Sequence, residues 1–398
     1  MKKIFCVIFT FVIAVCSGCV TKLEEEEPRV IELQTQYSGA VLDLCGSSLR
    51  EYLSEEDFSA QCNFLVEHEG EHYDWQNIML IWEDCGSEEY TVYISQDSAF
   101  TQPYTYVTSS CEFYYGLFQP GRTYYWKVEG TGDFFSETDS FTVSEAPVAI
   151  YTIDGAANIR DGGGWMTESG QRVRYGMLYR GSQLNGYGDA EPIPEIGKIK
   201  LREDLGIKSE IDLRTQDEDD GGQDANFFAP GEAYLKAPFH PYTHIIPEYK
   251  KEDPDRYFDE RVPESISMIF EFLSEEENYP VYYHCNAGAD RTGTLAFLIN
   301  GVLGVSYEDL TRDFEITSFM GMGNRWRGSK ESGFTDGVMS DTYTETYVAW
   351  GKMAELMMQY YSDEEDGSLS AAIENYLITA CGVRQEHIDA LKDIMLEG

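Results

Sequence analysis

The ten residues His284-Cys285-Asn286-Ala287-Gly288-Ala289-Asp290-Arg291-Thr292-Gly293 set a thiol and a guanidinium apart by five small or polar residues. Before them stands the apolar run Val281-Tyr282-Tyr283, which predicts a buried strand. After them, Thr292 to Leu303 predicts a helix ending at Gly304. A loop between strand and helix turns successive backbone N–H groups inward, and the helix N-terminus adds partial positive charge. Asn286, Ala287, Gly288, Ala289 and Gly293 would then form an anion nest shaped for a phosphoryl group. The same field favours the thiolate of Cys285, a nucleophile able to attack phosphorus and form a phosphocysteine. Arg291 can hold two phosphate oxygens in its planar fork. Gly288 lets the loop fold tightly, the Thr292 hydroxyl can assist departure of the thiolate, and His284 orients the loop.

The elements that must position this loop are legible around it. From about residue 150 the pattern alternates strands and helices. Ser209 to Arg214 reads as a short strand with its exit loop, and Pro263 to Leu273 as an amphipathic helix burying Ile266, Ile269, Phe270 and Leu273. Ser306, with Asp309 three residues on, caps another helix, and further helices are expected near 344–360, 369–379 and 384–396. This predicts an α/β domain over 150–398, a central sheet flanked by helices, with the ligand at the strands' carboxyl ends. Residues 35–147 read instead as an all-β sandwich. Ile78 to Trp82, Tyr90 to Ile94 and Tyr124 to Val128 are β-branched and aromatic runs separated by turn residues.

The loop matches the His-Cys-x5-Arg-Thr-Gly motif and resembles the tyrosine and dual-specificity phosphatase superfamily. Three further stretches resemble its bacterial branch: Asn158-Ile159-Arg160-Asp161-Gly162-Gly163, Leu178-Tyr179-Arg180-Gly181-Ser182, and Leu205-Gly206-Ile207-Lys208 through Asp212-Leu213-Arg214. Glu374 to Leu377 and Gly382-Val383 resemble its C-terminal helices. The resemblance implies hydrolysis of phosphomonoesters, phosphotyrosine first, without metal or cofactor. It also implies that Asp290, directly before the arginine, serves as general acid and then base, because Ala237 to His244 holds no Asp where other relatives carry a mobile acid loop. A salt bridge from Asp290 to Arg160 or Arg214 is the alternative, with Asp161 and Asp217 in reserve as acids. Arg160, Arg180 and Arg214 are expected to line the rim or pin the loop. Lipid-active relatives carry Lys where Ala289 stands, which places phosphotyrosine ahead of an inositol-phosphate or phosphoinositide substrate. The stretch Phe319 to Ser340, with Arg325, Trp326 and Arg327, reads equally as a lid or as an exposed loop. Residues 117–126 resemble the corner before a late strand of fibronectin type III-like domains.

Composition sets the surroundings. The 398 residues carry 29 basic against 71 acidic side chains, a net charge of −42, which excludes nucleic acid as a partner through any general basic face. A phosphate site must therefore be a local positive pocket. Met1-Lys2-Lys3 and the apolar run Ile4 to Cys16 read as an export signal over 1–19. Gly18-Cys19 resembles a lipobox ending, so Cys19 is the expected lipidation site, and residues 20–34, with Glu24 to Glu27, an acidic tether. A plain cleaved signal is the alternative. The expected setting is an exported bacterial lipoprotein on the outer membrane or cell surface, or in the periplasm, touching membrane only through the anchor. In that compartment Cys45, Cys62, Cys85 and Cys111 are expected to form two disulfides. None has zinc-type spacing, and Cys381 reads as a packing residue. A different class also fits: a surface-binding protein whose phosphatase-like domain is inactive.

Overall fold

A computed structural model describes residues 29–35, 37–68, 71, 75–186, 191–215, 233–255, 257–320, 322, 325, 345–362 and 366–398. The expected signal, Cys19 and most of the acidic tether lie outside them, as do Asp217, Trp326 and Arg327.

The N-terminal part comprises β1 (Arg29–Ile31), β2 (Ala40–Leu42), α1 (Ser47–Ser54), α2 (Phe58–Glu67), β3 (Ile78–Ile81), β4 (Tyr90–Ser95), β5 (Tyr104–Thr108), β6 (Glu112–Tyr115), β7 (Thr123–Gly130), β8 (Phe134–Ser136) and β9 (Asp139–Val143). One sheet runs β1-β8-β7-β4-β5, with β9 also on β7 and β2 on β9, while β3 and β6 form a separate antiparallel ribbon. Period-two alternation sends Tyr90, Val92 and Ile94 of β4 inward, with Tyr124, Trp126 and Val128 of β7. Tyr115 on the ribbon meets Tyr106 on the sheet, ring centroids 5.4 Å apart. The Tyr124 hydroxyl accepts the Gln119 N–H at 2.8 Å, locking the turn into β7.

Two expectations need correction. The segment 35–147 is not all-β: α1 and α2 lie within it. Leu49 and Tyr52, three apart, form the buried edge of α1, and Asp57 caps α2 by accepting the Ala60 N–H. The tether does not extend to residue 34 either, because Arg29–Ile31 pairs parallel to Phe134–Ser136.

The C-terminal part comprises β10 (Arg160–Asp161), β11 (Arg172–Val173), β12 (Leu178–Gly181), α3 (Glu195–Ile199), β13 (Ser209–Asp212), β14 (Ala233–Lys236), α4 (Val262–Leu273), β15 (Val281–His284), α5 (Asp290–Val302), α6 (Tyr307–Ile316), α7 (Glu345–Tyr361), α8 (Leu369–Thr379), α9 (Gln385–Met395) and β16 (Leu396–Glu397). Its sheet is ordered β10-β12-β15-β13-β14, parallel except for β10. All four residues of β12, β13 and β15 are buried, but only β15 (Val281-Tyr282-Tyr283) reads as the apolar run expected of a parallel strand covered on both faces. Gly181 and Asp212 both stand in register with His284, so the carboxyl ends of three strands meet at one point. From there α5 runs back into the core, buried from Thr292 through Val302, and packs on α6 and α8.

The two parts share a core along α6. The Tyr52 hydroxyl donates to Glu315 at 2.5 Å, and Arg312 donates to the Glu55 carbonyl at 2.6 Å. The Tyr52 ring meets Phe319 with centroids 5.7 Å apart. Tyr52, Glu315 and Phe319 have no solvent exposure.

Candidate active site

The loop from Cys285 to Ala289 leaves the carboxyl end of β15, the central strand, and enters α5. The helix begins at Asp290, two residues earlier than the sequence reading, so Asp290 and Arg291 belong to its first turn. Gly288 has φ +69°, a conformation only glycine adopts without strain, and an added Cβ would overlap the Gly181 carbonyl. The carbonyls of this turn face the scaffold. Asn158 Nδ2 donates to the Ala287 and Gly288 carbonyls at 3.1 and 2.9 Å, Arg180 to the Gly288 carbonyl at 3.1 Å, and the Gln183 N–H to the Asn286 carbonyl at 2.9 Å. With the carbonyls spent that way, the N–H groups of Asn286, Ala287, Gly288 and Ala289 have no backbone partner among the described residues. Four amides at a helix start are an anion nest.

Beneath the loop lies a buried charge network. Asp313 on α6 takes Arg160 Nε at 2.9 Å on one oxygen and Arg180 on the other. Arg160 also donates to Asn158 Oδ1 at 2.5 Å and to the Thr317 hydroxyl at 3.1 Å. Burial beside Arg180 pulls the Arg160 pKa down to about 10, which still leaves it charged at neutral pH. Burial alone would raise the Asp313 carboxyl, but the two guanidiniums outweigh it and hold it low. Arg160 and Arg180 therefore do not line the rim: both have no exposure and pin the loop from below. Arg214 is buried too. It grips Asp212 through Nε at 2.9 Å and Nη2 at 2.7 Å and reaches Asn185 at 3.0 Å. None of the three pairs with Asp290.

His284 stands directly before Cys285 at the end of β15. Nδ1 lies 2.9 Å from the Cys285 carbonyl and Nε2 2.8 Å from Glu210 Oε1. Both partners are acceptors, so only the doubly protonated ring satisfies both. Burial works against that charge, but Asp212 and Glu210 outweigh it and raise the His284 pKa. The contacts and this shift both favour the charged ring over the neutral one.

Cys285 is 3% exposed, while Asn286, Asp290 and Arg291 are half-exposed and face outward. Arg291 Nη2 donates to Asn286 Oδ1 at 2.7 Å. The Thr292 hydroxyl is buried without a hydrogen-bond partner among the described residues. Asp290 is held from two sides: Arg325 brings Nε to Oδ1 at 2.8 Å and Nη2 to Oδ2 at 3.0 Å, and the Tyr242 hydroxyl donates to Oδ1. Reading the sequence missed this role of Tyr242. Its only signal was position, within the segment searched for an Asp. Phe319 is buried against Tyr52 rather than exposed in a loop. Asp161 is withdrawn as a reserve acid: it is fully buried, accepts the Gly163 and Gly176 N–H groups at 2.9 and 2.7 Å, and burial pushes it up to about 7.

The cysteines of the N-terminal part differ from expectation. Cys45, Cys85 and Cys111 are thiols; the Cys62 side chain lies outside the described residues. Cys85 Sγ faces the Ser87 and Tyr90 hydroxyls at 3.4 and 3.6 Å. Cys381 is buried, as packing requires. Among the described residues no group of three His, Cys, Asp or Glu side chains is placed to hold a metal.

A family model described as "Tyrosine phosphatase family" matches residues 151–397. A tyrosine-protein phosphatase of Nostoc commune is 25% identical over 29% of this chain and 41% of its own length. A putative tyrosine-protein phosphatase of Cupriavidus necator is 24% identical over 43% of this chain and 67% of its own. The chain thus spans less than half of the first relative. Among solved structures, the core catalytic domain of a PP-IP phosphatase from S. cerevisiae covers 36% of this chain and 71% of its own, at 18% identity and a TM-score of 0.26.

Proposed function

The chain belongs to the tyrosine phosphatase family, and from that premise we propose that it hydrolyses phosphomonoesters, phosphotyrosine foremost, through a phosphocysteine on Cys285. The observation that carries the reading is the nest: four amides without a backbone partner among the described residues, in the loop that starts at the buried Cys285 and holds Arg291 to Asn286 at 2.7 Å. The Cys285 thiolate attacks phosphorus as the ester P–O bond breaks, and the leaving oxygen takes a proton from Asp290. Water then attacks the phosphocysteine, Asp290 takes its proton, and the S–P bond breaks to release phosphate and thiolate. The unpartnered Thr292 hydroxyl is free to donate to that departing sulfur. Neither step draws on a metal or cofactor.

The test is turnover of phosphotyrosine peptides and inositol phosphates, side by side, with chelator present. Wild type is expected to prefer the peptides and to be inhibited by vanadate, and Cys285→Ser to lose turnover. Full activity in that variant refutes the mechanism. A preference for inositol phosphates moves the substrate and leaves the chemistry. Phosphate binding without turnover on either would instead mean a binding protein.

The reading extends to the N-terminal part. The antiparallel run β5-β4-β7, the facing ribbon and the Tyr124 corner support a fibronectin III-like module. Lys2-Lys3, the apolar run and Cys19 support export and lipid anchoring. Mass spectrometry of the mature N-terminus tests this, and an unmodified Met1 would overturn it.

A further inference from the structure

Tyr242 pairs a strained backbone with a buried hydroxyl aimed at the reacting loop. Its φ is +58°, uncommon for a bulky residue and held here by Thr294, whose hydroxyl accepts the Tyr242 N–H at 3.0 Å. Such outliers persist where the surrounding structure over-determines them and collect at functional sites. The ring packs edge-on against Phe314, centroids 6.2 Å apart, which fixes where the hydroxyl points. That point is Asp290 Oδ1. Burial, the Asp290 charge and the nearby Cys285 all push the Tyr242 pKa well above the usual phenol range, although Arg325 opposes them. Tyr242 therefore remains a phenol and a donor throughout the working pH range.

Arg325 closes the other side. Its fork spans both Asp290 oxygens, and its own N–H donates to the Ser318 hydroxyl at 2.6 Å, fixing the backbone from which the side chain reaches. Burial acts to lower the Arg325 pKa, but Asp290 and Tyr242 outweigh it and the net shift is upward. Among the described residues, the groups bonded to Asp290 are Arg325 and the Tyr242 phenol, with Arg291 next to it in the helix and Cys285 near Tyr242.

We propose that Tyr242 and Arg325 are positioning residues for Asp290, holding the carboxylate in place and stabilising the charge that remains after it gives its proton to the leaving oxygen. The inference rests on the acid role proposed for Asp290. In the first half-reaction the proton passes from the Asp290 carboxyl to the ester oxygen, leaving the carboxylate to its three hydrogen bonds with Arg325 and Tyr242. In the second it returns from the attacking water. A cation beside the carboxylate stabilises the product of donation. Tyr242 stands in the segment where a separate acid loop was sought, and there it steers an acid supplied by the phosphate loop itself.

The experiment compares phenyl phosphate, a poor leaving group, with p-nitrophenyl phosphate, a good one, across pH. Arg325→Gln is expected to move the basic limb of kcat/KM to higher pH and to lower the phenyl-to-nitrophenyl rate ratio on the order of tenfold. Arg325→Lys, which keeps the charge, should restore the limb. Tyr242→Phe should move both readouts in the same direction by less. A folded Arg325→Gln enzyme with an unchanged limb and ratio overturns the inference. Should that variant not fold, Tyr242→Phe decides on the same two readouts. Asp290→Asn separates the premises. If it leaves limb and ratio unchanged, the acid assignment fails and this inference with it. If it changes them while Arg325→Gln and Tyr242→Phe do not, this inference alone fails.

Discussion

Replacing Asp313 by Asn keeps the shape of the side chain and removes its charge, leaving Arg160 and Arg180 buried without their shared counter-ion. The Asp313 side chain is 6% exposed and both guanidiniums 0%, so solvent screens almost nothing. Breaking one partner out of such a buried pair costs about 3–5 kcal/mol, against about 0–1 for an exposed pair such as Arg202–Glu195. At about 2–4 °C per kcal/mol for a domain of this size, the melting temperature should fall by roughly 6–20 °C. The assay is thermal unfolding of wild type and Asp313→Asn by circular dichroism. A control, Asp313→Asn in an Arg180→Met background, should cost less than the single change because one stranded cation is gone. The sign with pH is fixed: the Asp313 carboxyl is depressed in the folded state, so its contribution is present above the unfolded value of about 3.9 and is lost as the pH falls through the folded one. The gap between wild type and variant should close in acid. A melting temperature within about 2 °C of wild type at neutral pH would refute the claim that this charge holds the floor of the loop.

Gly288→Ala puts a Cβ onto the Gly181 carbonyl at φ +69°. A loop displaced by even an ångström should lose about a hundredfold in kcat, with vanadate affinity falling in parallel; normal turnover would mean that the turn tolerates a side chain. Asp161, pushed up to about 7 by burial, binds its proton more tightly folded than unfolded. Its contribution is therefore full below about pH 4 and declines as the pH rises toward 7, the reverse of Asp313. Melting temperature plotted against pH should be flatter across that window in Asp161→Asn, and an unchanged slope would count against the assignment.

The geometry of the loop was legible because its constraints are local. A strand, five loop residues and a helix start sit together in sequence, and Cys285, Gly288 and Arg291 owe their identity to that geometry. The supports were not legible, because they are long-range. Arg160 meets Asp313, 153 residues on, and Asp290 meets Arg325 and Tyr242, 35 and 48 residues away. Charge alone left the three arginines between rim and loop support, and only the long-range bonds to Asp313 and Gly288 place Arg160 and Arg180 underneath the site. The helices α1 and α2 were missed for another reason: they are short, and much of their stability comes from Tyr52 and Leu49 packing against other elements rather than from propensity.

Helix α6 serves two masters. One side of it accepts Tyr52 on Glu315 and sends Arg312 to the Glu55 carbonyl, while Asp313, between them in sequence, faces the opposite way and anchors the phosphate loop. The boundary near residue 150 is therefore a boundary of fold pattern and not of mechanical independence. Cutting there would strip the cover from Glu315 and Phe319, which now have no exposure, two and six residues beyond Asp313. Such a chain cannot exchange its front module freely for another, as beads on a string could. Any replacement must reproduce the surface that steadies α6, and with it the loop from Cys285 to Ala289.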